Sequence, residues 1–331
     1  MIHLYNPSTD LALANGKKTY TPPKNVYLFE RKNILLPSLY ARETDAVLVP
    51  YDDLLNSLNE LPFYNEGIRY LTLSELIERN DAIMPWGWNP ALRQMLLRKG
   101  WSPDKMPSED ILNNWRDLAH RRSTIIVNEL IGMEKDRLPR EYSSLEEAVG
   151  FVKRHSRAML KLPWSSSGRG VLPVCVDNLS AARKRIEDAI RSQGSIMIET
   201  LANKMLDFAT EWESDGMIVR FKGFSLFRTD NQGRYVGNVI ASQAELLNRM
   251  TNYTSLNALL SLPERLRPAL EYLLVSNTKH PYEGPFGVDA LIDNNREIWP
   301  CIEINLRRTM GHVALDVAKD ASYKGKLLHT Y

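Results

Sequence analysis

Short apolar runs that each stop at a turn-rich segment dominate residues 1–110. Helical patterns over residues 51–61 and 71–80 lie between some of these runs. Strands that alternate with helices predict a parallel, doubly wound sheet. The predicted strands are Ile2–Tyr5, Val26–Glu30, Ala46–Pro50 and Ala82–Pro85.

The loops that follow these runs are the first candidates for a ligand-binding edge. In doubly wound sheets, ligands bind in the crevice beyond the carboxyl ends of the strands. Asn6, Asp10, Tyr51 and residues 86–89 fall in such loops. Ordinary turns would produce the same pattern, so the edge as a whole is a stronger candidate than any one residue.

A polar stretch with two prolines at residues 100–110 predicts a linker, and the pattern beyond it changes. A long amphipathic helix is predicted over Ile111–Ile131 and a shorter one over 144–154, followed by two strands around the loop 163–170. An alternating pattern over 205–242 predicts an antiparallel meander, and residues 286–304 predict a hairpin. We therefore predict an α+β fold for the region after residue 110.

Composition narrows the class of protein. The 331 residues are 44% hydrophobic and 25% charged, and 42 basic side chains balance 40 acidic ones. Such a balance argues against nucleic acid or an anionic membrane as the main partner. We expect no membrane span and no secretory leader. The two cysteines, Cys175 and Cys301, lie far apart in the sequence and fit neither a disulfide framework nor a zinc site. This cysteine usage favours an enzyme of the reducing cytosol.

The loop Pro163–Gly170 combines three serines and two glycines between two predicted strands, with Lys161 one residue before it. Small residues let backbone N–H groups approach phosphate oxygens, and serine hydroxyls add donors. The loop is not a Walker A motif, because GK[ST] is absent and a strand follows it. A flexible turn remains the alternative.

The predicted C-terminal hairpin carries two carboxylates and an amide. Glu303 and Asn305 are two residues apart on one strand, so they share a face, and Asp289 lies on the other strand. Hard oxygen ligands of this kind suit magnesium. An ion pair of an acid with Arg307 or Arg308 would explain the same residues, and the sequence leaves both interpretations open.

Taken in order, these segments resemble the ATP-grasp superfamily. The resemblance implies a doubly wound pre-ATP-grasp domain over residues 1–110 that binds substrate. A two-lobed ATP-grasp domain would follow over 111–331, with lobes 111–198 and 199–331. The matching segments are LKLPWSSSGRGV, IETL, LDFATEW, FGVDALID and CIEINLRRTMG.

The resemblance also implies roles for individual residues. Lys161 would contact the α- and β-phosphates, and Arg121 would replace the usual first lysine, with Arg116 and Arg122 as competitors. Asp207 would bind the ribose, and Arg307 would lie near an acyl phosphate. The closing loop would comprise Ser165, Ser166, Ser167, Gly168 and Gly170. The adenine hinge would comprise Glu199, Thr200 and Leu201, and the metal ligands Asp289, Glu303 and Asn305.

By the same resemblance, the activity would be that of an ATP-dependent carboxylate–amine ligase. Its cofactors would be ATP and Mg²⁺, with Mn²⁺ as a substitute, and its partners a small carboxylate and an amine. A small-molecule kinase or a non-catalytic nucleotide-binding protein are the alternatives. The oligomeric state stays open, a homodimer included.

Overall fold

The computed structural model describes residues 1–79, 81–165, 170–230, 235–323 and 325–329. Its N-terminal part contains short parallel strands joined by helices and 3₁₀ turns. These elements are β1 (Ile2–Leu4), α1 (Thr9–Asn15), α2 (Lys24–Lys32), β2 (Ala46–Leu48), β3 (Arg69–Leu71), α3 (Leu73–Glu78), β4 (Ile83–Pro85) and α4 (Pro90–Arg98).

The four strands form a parallel sheet in the order β3-β2-β1-β4. The prediction of a doubly wound parallel sheet is confirmed, but the strand predicted at Val26–Glu30 is wrong. That segment lies in α2, which follows directly after Pro23. Parallel neighbours such as β1 and β2 need a crossover connection, and this requirement overrides the strand preference of valine and aromatic residues. Arg69–Leu71 supplies the remaining strand.

A second group of described elements contains four helices and a small antiparallel sheet. The predicted helix over Ile111–Ile131 is two helices, separated by a turn that carries Arg121. The elements are α5 (Glu109–Leu118), α6 (Ser123–Leu130), β5 (Arg140–Tyr142), α7 (Leu145–His155), β6 (Arg157–Lys161), β7 (Val171–Cys175), α8 (Leu179–Gln193) and β8 (Ile196–Thr200). The strand order is β5-β8-β6-β7.

The last group builds the largest sheet, in the order β13-β12-β9-β10-β11-β14. The meander and the hairpin form as the sequence predicts. The elements are β9 (Lys204–Asp215), β10 (Val219–Thr229), β11 (Tyr235–Val239), α9 (Gln243–Met250), α10 (Leu256–Glu271) with a π-helical turn over Tyr272–Ser276, β12 (Glu283–Asp293), β13 (Ile298–Asn305), α11 (Met310–Val317) and β14 (Leu327–Leu328).

The two faces of the large sheet differ in chemistry. One face is apolar and packs Phe208, Trp212 and Phe286 against α10 in the main core. Strand alternation places carboxylates and amides on the opposite face. In the described part of the chain, we find no helix both long and apolar enough to cross a bilayer.

Candidate functional site

The register of three strands assembles the polar face of the large sheet. Asp289 on β12 lies directly opposite Glu303 on β13, and Gly287 lies opposite both Asn305 and Glu211 of β9. Residues paired in this way point to the same side of a sheet. The predicted metal ligands Asp289, Glu303 and Asn305 therefore meet on one face.

Asp289 is a carboxylate without a compensating partner. No hydrogen bond or ion pair joins it to any residue that the structure describes. Burial, together with the charges of Glu303 and Glu211, raises its pKa well above the ordinary range. Two facing carboxylates and the Asn305 amide form a hard oxygen donor set, and they fit Mg²⁺.

Glu303 forms an ion pair, but with a different arginine from the two considered in the sequence. Arg121 donates from Nη2 to Glu303 Oε1 at 2.5 Å and from Nη1 to Ser165 Oγ at 2.7 Å. Arg307 binds Asp10 instead, and Arg308 binds Asp316. Arg121 is buried, and its Nε has no hydrogen-bond partner in the described residues. Its guanidinium therefore lies beside the metal-ligand face, by which we mean the side of the sheet that carries the predicted ligands Asp289, Glu303 and Asn305.

The two competitors of Arg121 are engaged elsewhere. The guanidinium of Arg116 lies 3.9 Å from the centre of the Trp164 ring, and its Nε donates to the carbonyl of Leu13. Arg122 binds Glu141 at 3.0 Å and is exposed. Of the three candidates for the missing lysine, Arg121 is the one that lies beside Glu303.

Arg307 is held rigidly at the end of β13. Its Nε donates to both oxygens of Asp10 at 2.9 Å, and its Nη2 donates to Asn305 Oδ1 at 3.0 Å. Burial opposes the charge, but the neighbouring carboxylates, Asp10 first, raise the pKa of Arg307. A permanent cation thus lies between the parallel sheet and the metal-ligand face.

Lys161 ends β6 in a buried ion pair. Its Nζ lies 2.5 Å from Glu199 Oε1 and donates to the carbonyl of Ile302 at 3.2 Å. Glu199 belongs to the predicted hinge, so the hinge side chain neutralises the predicted phosphate-binding lysine. Thr200 donates to the Asp136 carbonyl at 2.9 Å, and Leu201 is half-buried.

The predicted phosphate loop is described at its two ends, and Ser166, Ser167 and Gly168 lie outside the described residues. Gly170 lies so close to Ser165 that a Cβ would clash with the serine side chain. Trp164 donates from its indole nitrogen to the Arg116 carbonyl at 3.0 Å. The loop is therefore anchored to α5 where it begins.

Asp207 lies on the same face of β9 as Glu211, two positions from the residue that pairs with Asp289 of β12. It accepts a hydrogen bond from Thr229 at 3.0 Å and forms an ion pair with Lys204. Its carboxylate is buried and oriented by these two neighbours.

A cleft brings several of these residues together. It is lined by Arg121, Ser165, Glu303, Asn305 and Asp10. A second cleft shares Leu13, Ala119 and Leu306 with it. Its walls include Trp86, Trp88, Trp115 and Tyr282.

The sequence analysis does not predict Glu211, although this residue lies four positions after Asp207 and therefore on the same face of the strand. Glu211 is fully buried and accepts hydrogen bonds from Ser225 at 2.7 Å and Thr309 at 2.8 Å. Its Oε2 lies 3.0 Å from His312 Nδ1. Burial opposes its charge, but His312 and these donors lower its pKa. His312 thus anchors the start of α11, where it completes a capping box with Thr309.

Comparison with known proteins finds similarity in structure. No protein-family model matches the sequence, and no curated protein matches it. A biotin carboxylase–βγ-ATP complex from Campylobacter jejuni is 16% identical with a TM-score of 0.59, over 99% of this chain and 72% of that chain. N5-carboxyaminoimidazole synthetase from Staphylococcus aureus, complexed with ADP, is 14% identical with a TM-score of 0.54, over 99% and 78%.

A third similar structure is the biotin carboxylase domain of the Hydrogenobacter thermophilus 2-oxoglutarate carboxylase, with MgADP, ADP and bicarbonate. It is 12% identical with a TM-score of 0.52, over 86% of this chain and 65% of that chain. At these identities the similarity is one of fold. The chain has the ATP-grasp fold, and the resemblance seen in the sequence is confirmed at that level.

Proposed function

We propose that this ATP-grasp chain is an ATP-dependent ligase that activates a small carboxylate as an acyl phosphate for attack by an amine. The observation that carries the proposal is the facing pair Asp289 and Glu303, with Asn305 beside them. Asp289 is half-buried, and a carboxylate shielded from water without a partner is unfavourable unless a cation binds it. The position of this carboxylate pair beside Arg121 and the predicted phosphate loop supports a bound Mg–nucleotide.

The similar structures support the same ligand. Two of them were solved with ADP and one with a βγ-ATP ligand, and one of the ADP complexes contains MgADP. We propose by analogy that ATP binds here between the sheet of β6–β8 and the sheet of β9–β13. Asp289, Glu303 and Asn305 would hold Mg²⁺, which would neutralise phosphate charge when bound.

Lys161 and Arg121 would bind the phosphates, because each places a cation next to the metal-ligand face. Ser165 and the backbone near Gly170 would add donors, with Ser166, Ser167 and Gly168 as the rest of the loop. The backbone of the hinge, Glu199 to Leu201, would contact adenine, and Asp207 would accept hydrogen bonds from ribose hydroxyls.

Chemistry on this fold needs positioning and charge stabilisation more than a protein nucleophile. A substrate carboxylate oxygen attacks the γ-phosphorus and ADP leaves, which gives an acyl phosphate. An amine then attacks the acyl carbon, loses a proton and expels phosphate. Arg307, oriented by Asp10 and Asn305, stabilises the negative charge that develops on the acyl phosphate.

The test is ADP release with Mg–ATP and a panel of amino acids, peptides and small carboxylates, with mass spectrometry of the products. We expect release that requires both a carboxylate and an amine, and a product with the two joined. A stable phosphate ester without a joined product would identify a kinase instead. A folded protein that releases no ADP with any panel member would contradict the ligase assignment.

A further inference from the structure

Glu30 is a buried carboxylate that the proposed chemistry does not use. It lies on α2, beneath the loops that follow β1 and β2, and is 9% exposed. Ser8 donates to its Oε2 at 2.8 Å and Tyr51 donates to its Oε1 at 3.1 Å. The backbone of Ser8 also hydrogen-bonds to this carboxylate. All of these donors are neutral, and no ion pair to Glu30 forms in the described part of the chain.

The adjacent Arg31 does not supply the missing charge. Its guanidinium binds Asp53 and lies over the rings of Tyr27 and Tyr51, at 5.5 and 4.8 Å from their centres. Burial raises the pKa of Glu30, and the hydrogen bonds from Ser8 and Tyr51 offset this only in part. The carboxyl group of Glu30 is thus held in place by neutral donors and without a cation.

The chain gives up a local interaction to hold Glu30. Ser8 occupies the N-cap position of α1, where a serine side chain ordinarily accepts a backbone N–H. Here Ser8 makes no such bond, and its hydroxyl turns to Glu30. Local rules broken in this way are typical of functional sites.

A polar group without a hydrogen-bond partner in the described chain lies near Glu30. The hydroxyl of Tyr20 is buried and has no hydrogen-bond partner among the residues that the structure describes. Burial and the neighbouring charge of Glu30 raise the pKa of Tyr20. A carboxylate and a phenol with free acceptor capacity, close to aromatic rings, match the needs of an ammonium group.

The position of Glu30 suits a substrate group and not a metal ion. Ser8 is two residues from Asp10, the partner of Arg307, so Glu30 and the proposed acyl-phosphate site lie on two sides of one turn. Among the described residues, no His, Cys, Asp or Glu side chains join Glu30 to make a group of three that could hold a metal ion. A single carboxylate among phenols lacks the several oxygen ligands that Mg²⁺ or Ca²⁺ requires.

We propose that Glu30, together with the hydroxyls of Tyr51 and Tyr20, binds a primary ammonium group of the small-molecule substrate. This inference rests on the proposed ligase function and names the class of its substrate. The substrate places its ammonium at Glu30 and its carboxylate towards Arg307, and the ammonium at Glu30 is not the reacting amine.

The first test needs no substrate. Urea unfolding of the apo protein is compared for wild type, Glu30→Gln and Glu43→Gln at about pH 8, above the ordinary range of a carboxyl pKa. Glu43 is exposed and is the matched control. We expect Glu30→Gln to unfold at the same or a higher urea concentration. A clearly lower midpoint would show a structural role for Glu30 and overturn the proposal.

The second test uses matched compounds with Mg–ATP present: aminoalkanoates and diamino acids, each beside its hydroxy analogue. Wild type should bind the ammonium compounds at least about tenfold more tightly, and Glu30→Gln should lose that preference while its ADP affinity stays unchanged. A preference retained in Glu30→Gln, or none in wild type, overturns the proposal. Absent ADP binding would instead refute the ligase function, and the unfolding result would still decide the role of Glu30.

Discussion

The Asp289→Asn variant is expected to lose about a thousandfold or more in ADP release while its apo form stays as stable as wild type or becomes more stable. The loss follows from removing a charged metal ligand. The stability follows from removing a half-buried carboxylate that faces the charged Glu303 and has no partner of its own in the described residues. Steady-state ADP release and urea unfolding without metal measure the two effects.

The sign of the stability change depends on pH. Because the pKa of Asp289 is raised in the folded protein, its ionisation costs stability as pH rises above the unfolded value of about 4. The advantage of Asp289→Asn should therefore be absent below about pH 4 and grow towards neutral pH. A variant that is less stable than wild type at neutral pH would make Asp289 a structural residue.

Asp293 provides a matched control on the same hairpin. Its carboxylate accepts from the Trp299 indole at 3.1 Å and forms an ion pair with Arg137 at 3.3 Å. Asp293→Asn should therefore lower stability and leave Mg–nucleotide binding intact. The two substitutions are identical in chemistry, so opposite outcomes would separate a ligand site from a structural ion pair.

Lys161→Met should have two large effects. The free energy of nucleotide binding should become less favourable by about 1–3 kcal/mol, which is the scale of a charge-assisted hydrogen bond. The free energy of unfolding should also fall by about 3–5 kcal/mol, because buried Glu199 loses its partner. Calorimetric titration of Mg–ADP and urea unfolding measure the two effects.

The double variant Lys161→Met, Glu199→Met separates these effects. Replacing both members of a buried pair with apolar side chains restores most of the stability, but it cannot restore phosphate binding. A double variant that regained nucleotide affinity together with stability would show that Lys161 acts only through folding.

Much of this architecture could be predicted from the sequence because its periodicities are local. Alternation fixes that Glu303 and Asn305 share a face, and the apolar run Ala46–Pro50 identifies β2. The helix at Val26–Glu30 could not be predicted from its residues, because the crossover between parallel strands decides it. Glu30 lies in the same segment, and its role could not be predicted because it depends on tertiary contacts with Ser8 and Tyr51.

The other differences between the sequence predictions and the structure arise from contacts between residues that are far apart in the sequence. Arg121 could be named from its spacing, but its pairing with Glu303 depends on the turn between α5 and α6, which hydrophobic periodicity does not mark. The Asp10–Arg307 pair joins residues 297 positions apart. Sequence patterns locate the candidate residues, and only tertiary structure shows which charges are already neutralised.

We propose that the cleft lined by Glu303 and Asn305, next to Asp289, binds a Mg–nucleotide. Calorimetric titration of ADP into the apo protein, with Mg²⁺ and with EDTA, tests it most directly. We predict one site that requires Mg²⁺ and that, at a hundredfold excess over Kd, stabilises the fold by about 2.7 kcal/mol. Asp289→Asn should lose this metal requirement together with most of the affinity. A folded wild type that binds no nucleotide, or binds it equally well in EDTA, would contradict the account.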